Sequence, residues 1–152
     1  MDQEEARRRL TAASVARLAT VTPAGLPHVV PVVFALVQDV LYMAVDNKPK
    51  TTTALQRLAN IEASGRASLL VDHYTEDWST LWWVRVDGSA EVLSVAYPHQ
   101  RSSVTRSRSQ QVDVGLEALT NKYPQYCHRP PPGPVIALRI TQWRWWQAVA
   151  AM

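Results

Sequence analysis

The residues best suited to chemistry in this sequence are three cations around position 50. Lys48 and Lys50 precede a segment in which Leu55, Leu58 and Ile61 recur at helical spacing, and Arg57 lies within it. Residues seven apart share a helical face, so Lys50 and Arg57 can converge on one anion. Thr51, Thr52 and Thr53 add hydroxyls and backbone N–H groups where the helix macrodipole also favours negative charge. A phosphate or polycarboxylate ligand fits this arrangement. A solvated basic face on a surface helix fits it equally.

A second constellation runs from Leu81 to Gly88 as Leu-Trp-Trp-Val-Arg-Val-Asp-Gly. Strand alternation puts Trp83, Arg85 and Asp87 on one face and Trp82, Val84 and Val86 on the other. The valine side is the natural core side. The Trp83 side is polar enough to meet a ligand, a partner or solvent, and an ordinary exposed ion pair would read the same way. Near the C-terminus, Trp143-Arg144-Trp145-Trp146 can wall a planar ring, cap a barrel or bury itself in a subunit contact. His28, His73, His99 and His128 have no metal-ligand spacing, so no metal site is expected. Neither the two common glycine-rich nucleotide fingerprints nor a GxSxG nucleophile motif occurs.

The elements that position these residues read as mainly β with inserted α. Asp2 and Glu5 form a capping box for a short helix over residues 1–14, with Ala6, Leu10 and Ala13 on one face. Barrel strands are expected over 15–97, interrupted by a crossover helix over 50–64 that stops at Gly65. One strand over 28–37 is apolar at odd and even positions, so both its faces should be covered. Pro31 within it cannot donate to a ladder, which suggests a bulge or a place where a ligand meets backbone. Asp87-Gly88 reads as the turn between two further strands. Residues 98–134 form a helical and loop insertion: a polar, Ser/Arg-rich stretch to 111, a helix over 114–123 and a stiff proline connector. Residues 135–150 supply the last strand or strands. Six or seven antiparallel strands with two or three helices indicate a small β-barrel.

The 152 residues suit one domain, with roughly two-thirds of the extended surface buried. The longest uncharged apolar run has nine residues and includes a proline, far short of the ~20 of a membrane span. The acidic N-terminus lacks an apolar signal segment, and a lone Cys127 excludes an internal disulfide, so the cytoplasm is the expected address. With a net charge of +3 and no recognition motif, Arg7-Arg8-Arg9 and the arginines at 101, 106 and 108 read as solvated surface rather than a nucleic-acid footprint.

The order of several short strings carries a resemblance. Leu18-Ala19-Thr20-Val21, Gly25-x-Pro27-His28-x-Val30-Pro31-Val32-x-Phe34, Lys48-x-Lys50, Arg57-x-x-Asn60-Ile61 and Arg66-Ala67-Ser68-Leu69 resemble the flavin and deazaflavin oxidoreductases of FMN-binding split-β-barrel type, the relatives of pyridoxamine phosphate oxidase. Val71-Asp72-His73-Tyr74, Asp77-Trp78-Ser79, Leu81 to Arg85, Lys122-Tyr123-Pro124-Gln125-Tyr126 and Gly133-Pro134-Val135-Ile136 resemble the actinobacterial branch assigned to the deazaflavin coenzyme F420. The resemblance implies a homodimer with two cofactor sites at the interface. It places the cofactor phosphate on Lys50 and Arg57 with Lys48 nearby, and the ring system along the backbone of Pro31, Val32 and Val33. Trp83, Arg85 and Trp146 would approach from across the site. It implies hydride transfer between F420 and a small organic substrate, with FMN as the alternative cofactor and a non-catalytic deazaflavin carrier as the alternative role. His73 and Tyr74 are conceivable proton donors, and no catalytic residue is assigned.

Overall fold

The computed structural model describes residues 1–45, 52–94 and 103–149, with the backbone alone at 52–55 and 103–106. The elements run α1 (Gln3–Ala12), β1 (Ala16–Val21), β2 (Pro27–Val32), β3 (Ala35–Val37), β4 (Val40–Ala44), α2 (Thr52–Ser64), β5 (Arg66–His73), β6 (Trp82–Leu93), α3 (Ser103–Lys122), α4 (Gln125–His128) and β7 (Val135–Gln147). One turn of 3₁₀ helix, Trp78–Thr80, precedes β6.

The described strands form one seven-stranded sheet in the order β2-β1-β5-β6-β7-β4-β3, and every pairing is antiparallel. Its two edge strands, β2 and β3, are separated in the chain only by Val33 and Phe34. A sheet whose opposite edges lie two residues apart must curl until they meet. This closes a barrel and leaves it split between β2 and β3.

The single strand expected over 28–37 is therefore two strands with different partners, β2 on β1 and β3 on β4. Nor is β2 covered on both faces, because Val29 is 61% exposed and Pro31 is also exposed. Asp87-Gly88 is not a turn. β6 runs straight through it for twelve residues, with a bulge opposite Thr141 that shifts its register on β7. A Cβ on Gly88 would lie 1.9 Å from the Arg139 carbonyl oxygen, so the glycine is there because two backbones touch. The Ser/Arg-rich stretch also departs from expectation: α3 starts at Ser103 and runs twenty residues.

Inside the barrel, Leu18, Phe34, Leu41, Leu69, Val84, Val86, Ile136 and Leu138 form the main core. α1 adds Ala6 and Leu10 and α2 adds Ile61. The Asp2 carboxylate accepts the Glu5 N–H at 2.8 Å, as the capping box required. α2 ends at a left-handed Gly65 whose N–H reaches the Ile61 carbonyl. A second core lies outside the barrel wall, where Val112 and Leu119 of α3 pack on Tyr42, Ala44, Leu93, Val135 and Ala137. No helix among the described residues is long and apolar enough to cross a membrane.

Candidate cofactor-binding face

The outer surface of the barrel is divided. α3 covers the half built from β3, β4 and the start of β7. Among the described residues, the other half, from β2 across β1 and β5 to the start of β6 and the end of β7, carries no helix on its outer side. Of the sequence-derived site residues, Pro31, Trp83, Arg85 and Trp146 lie on this open half.

Register shows how they are arranged. Pro31 pairs with Arg17, Arg17 with Leu70, Leu70 with Arg85, and Arg85 with Arg144. These five residues form one row across the outer face. In the neighbouring row Asp72 pairs with Trp83 and Trp83 with Trp146, so the two tryptophans lie side by side beside Arg85. Strands are about 4.8 Å apart, which puts Pro31 and Arg85 roughly 14 Å from each other. These four site residues thus fall into two groups on one face, Pro31 apart from Trp83, Arg85 and Trp146, and within one chain the groups do not meet.

In the first group β2 is an edge strand, so one row of its backbone groups has no ladder partner. Pro31 is exposed, Val32 points into the barrel, and Val33 packs against the core under α3. Only the backbone of the last two is available to a ligand. Arg57 of α2 is half-buried, while Lys48 and Lys50 lie outside the described residues. Around Arg57 the helix is fixed by a polar bridge. Gln56 Nε2 donates to Asn60 Oδ1 at 2.8 Å, and the fully buried Asn60 donates from Nδ2 to Thr20 Oγ1 on β1 at 3.0 Å. The string Arg57-x-x-Asn60-Ile61 therefore combines one polar anchor, one core residue and one cation at the surface.

In the second group Arg85 is oriented along its own strand. Its guanidinium reaches Asp87 Oδ2 at 3.2 Å, and Asp87 also accepts the Ser68 hydroxyl at 2.5 Å. Val84 and Val86 are fully buried, as the alternation required. The C-terminal tryptophans are split by the same alternation. Trp143 and Trp145 pack on the core, whereas Trp146 is 43% exposed beside Trp83.

Two residues quoted in the resemblance without a role turn out to hold the split together. Tyr123 Oη accepts the Phe34 N–H at 3.1 Å, and its proton is shared between the carbonyls of Phe34 at 2.8 Å and Ser14 at 2.9 Å. Phe34 sits where the chain leaves one sheet edge for the other, so its backbone groups have no strand to pair with, and the tyrosine replaces that strand. Next to it, Lys122 Nζ donates to the Ala13 carbonyl at 2.7 Å and lies 4.0 Å from the centre of the Phe34 ring. Burial pulls this ammonium down from its ordinary value to about 8. A tyrosine and a lysine at the end of a helix give no sequence signal of this role, because their partners lie about ninety to one hundred and ten residues away.

Of the N-terminal arginines, Arg8 is exposed as expected, whereas Arg7 and Arg9 are half-buried. Arg7 binds Asp39 at 2.9 Å and the Gln38 carbonyl, and its guanidinium lies over Trp143. Arg8 and Arg9 both bind Glu5, whose carboxyl they hold down at about 2. Glu5 at three and four residues from these arginines was a legible signal for that contact. Arg108 is engaged by Glu91 at 3.2 Å.

The sequence matches a family model described as pyridoxamine 5′-phosphate oxidase over residues 2–147. No curated protein matches it. Among solved structures, a conserved hypothetical protein of Mycobacterium tuberculosis superposes with a TM-score of 0.70 at 18% identity, covering 97% of this chain and 85% of that one. A FAD-binding protein of Mesorhizobium loti gives 0.65 at 23% identity, covering 95% and 94%. A heme-binding protein of Mycobacterium smegmatis gives 0.67 at 20% identity, covering 98% of this chain and 55% of the other. At these identities the likeness is one of fold.

Proposed function

Because this chain belongs to the pyridoxamine 5′-phosphate oxidase family, we propose that it is a homodimeric oxidoreductase that uses a flavin-type cofactor, F420 in preference to FMN. The observation that carries this reading is the separation of Pro31 from Trp83, Arg85 and Trp146 on one uncovered face. Residues roughly 14 Å apart in one chain come together when a second copy docks its open face on the first.

In this arrangement the tricyclic ring lies along the β2 edge at Pro31 to Val33. A proline suits that place because no ladder donor is needed there. Arg57 holds the cofactor phosphate together with Lys50, and Lys48 serves the carboxylate tail that distinguishes F420 from FMN. Trp83, Arg85 and Trp146 of the second copy close the ring site, two as apolar walls and one as a cation. The bound cofactor supplies hydride transfer to a small organic acceptor, while the chain binds, orients and excludes water. The FAD-binding neighbour of this fold supports a flavin-type ligand, and the preference for F420 rests on the strings from Val71 to Arg85.

Parallel fluorescence titrations with F420, FMN and hemin test the reading, hemin because one neighbour of the same shape binds heme. F420 should bind best, and a tenfold preference for FMN removes the deazaflavin assignment. Arg57→Ala should weaken cofactor binding ten- to a hundredfold, about 1.5–3 kcal/mol, while Arg57→Lys recovers part of the loss. Arg108→Ala, on the exposed side of α3, should change nothing. Reoxidation of reduced cofactor that is faster when an acceptor is supplied marks an enzyme. A spectral shift without turnover marks a carrier.

A further inference from the structure

An open groove of about 550 Å³ lies between the C-terminal half of α1 and the ends of β5 and β6. It borders the proposed cofactor face at Asp72, while α1, His73 and Trp82 line the rest of it. Its volume is within the roughly 300–1,000 Å³ range of small-molecule sites.

The groove has a cationic wall, an aromatic wall and a floor of small residues. On the aromatic side the His73 and Trp82 rings lie nearly parallel, 17° apart with centroids at 6.2 Å. The Arg9 guanidinium sits 4.9 Å from the centre of the Trp82 ring. On the cationic side Arg8 and Arg9 share the one carboxylate of Glu5, at 2.7 Å and 2.6 Å, so this trio keeps one net positive charge. Asp72 adds no net negative charge, because Arg17 lies 3.6 Å from it. The negative end of α1 is met by Lys122 on the Ala13 carbonyl. Ala12 and Ala13 leave the floor open.

The hairpin loop at this end is also built rather than loose. Asp77 Oδ1 accepts the Ser79 N–H at 3.0 Å and the Ser79 hydroxyl at 2.6 Å, and the Thr80 hydroxyl donates to the Asp77 carbonyl at 2.9 Å. This turn presents Trp78 at 77% exposure, with Tyr74 at 61% beside it in sequence. Two large aromatic side chains are thus held in solvent on the loop that joins the two strands lining the groove.

We propose that this groove is a second ligand site, for a planar aromatic monoanion such as an aryl carboxylate. The carboxylate engages Arg8 and Arg9, and the ring lies over Ala12 and Ala13 against His73 and Trp82. A cationic ring is repelled by the same arginines, and a non-aromatic acid lacks the flat surface that the tryptophan and histidine match. The site depends on α1, β5 and β6 alone and does not rest on the flavin reading.

Calorimetric titration of the cofactor-free protein with 2-naphthoate is the test, alongside cyclohexanecarboxylate and 2-naphthylmethylamine. The expected result is saturable binding of one 2-naphthoate per chain below about 1 mM, at least fivefold tighter than either comparator. Ala12→Phe fills the groove from an exposed position without touching core or charge, and should weaken binding at least fivefold. The Arg8→Gln/Arg9→Gln pair should do the same, and Arg108→Gln should not. Absence of saturation, a comparator within fivefold, or Ala12→Phe binding as well as the parent protein overturns the proposal. F420 and FMN affinities measured on Ala12→Phe should stay at the parent value, so failure here and failure of the cofactor reading are told apart.

Discussion

At the residue scale, Tyr123 and Lys122 show what a split barrel demands of single side chains. Tyr123→Phe keeps the ring and removes the hydroxyl, leaving the buried N–H of Phe34 and two carbonyls short of a partner. The expected loss is about 1–3 kcal/mol of unfolding free energy, read from urea denaturation. Lys122 gives a pH signature of unusual sign. Its folded-state value of about 8 lies below the ordinary lysine value of 10.5, so between those two the unfolded chain binds more protons. The cost of burying the charge is fully present below pH 8 and fades above it. Stability should therefore rise from pH 8 toward pH 9.5, before burial of Tyr123, whose hydroxyl is shifted upward, begins to act in the opposite sense. Lys122→Met should flatten that rise in denaturant melts taken across the same range.

At the element scale, β6 and β7 are the members that make one barrel out of two half-sheets. β6 pairs with β5 over its first eight residues and with β7 along its whole length, and β7 also carries β4. Where they cross the bulge, Gly88 lets the two backbones touch. Gly88→Ala would force its methyl against the Arg139 carbonyl, and neither strand can withdraw without breaking its other pairing. The expected cost is about 3 kcal/mol, seen as a lowered thermal midpoint together with faster exchange of the β7 amides. An Ala substitution at an ordinary turn glycine would not have this effect, so the result distinguishes a bulge from a hairpin.

At the scale of the whole molecule, the uncovered half of the barrel is the outstanding feature. Val21, Val29 and Trp146 are each more than two-fifths exposed on it, and Leu26 at the adjoining turn is 64% exposed. Two of the arginines on the same face are matched within the chain, Arg17 with Asp72 and Arg85 with Asp87. A face that exposes apolar side chains and pairs Arg17 and Arg85 within the chain suits a second copy of itself. Sedimentation at micromolar concentration should give twice the 17.0 kDa chain mass, with or without cofactor. An interface of this kind buries more than ~2,000 Å² in total. Val29→Glu, which would put like charges into a two-fold contact, should yield monomers and lose cofactor binding together. A folded monomer that binds cofactor normally would refute the shared site.

The sequence by itself determined what depends on neighbours along the chain. Asp2 and Glu5 marked the start of α1, Gly65 marked the end of α2, and the period of two assigned Trp82 and Val84 to the core and Trp83 and Arg85 to the outside. Parity and caps are local, so residues a few positions apart suffice to set them. The order of short strings also carried the family and the split-barrel class. Tertiary structure alone decided what depends on register. It broke 28–37 at Phe34, because the two halves find partners on opposite edges of the sheet. It made Asp87-Gly88 a bulge, because β7 passes within contact of Gly88. It set Arg7 on Asp39 and Trp143 and Arg9 on Trp82, and it gave Tyr123 and Lys122 their partners in distant loops. Alternation tells which face a side chain occupies, but only strand order tells how far along that face its neighbour lies. That distance is what separates the Pro31 group from the Trp83 group within one chain.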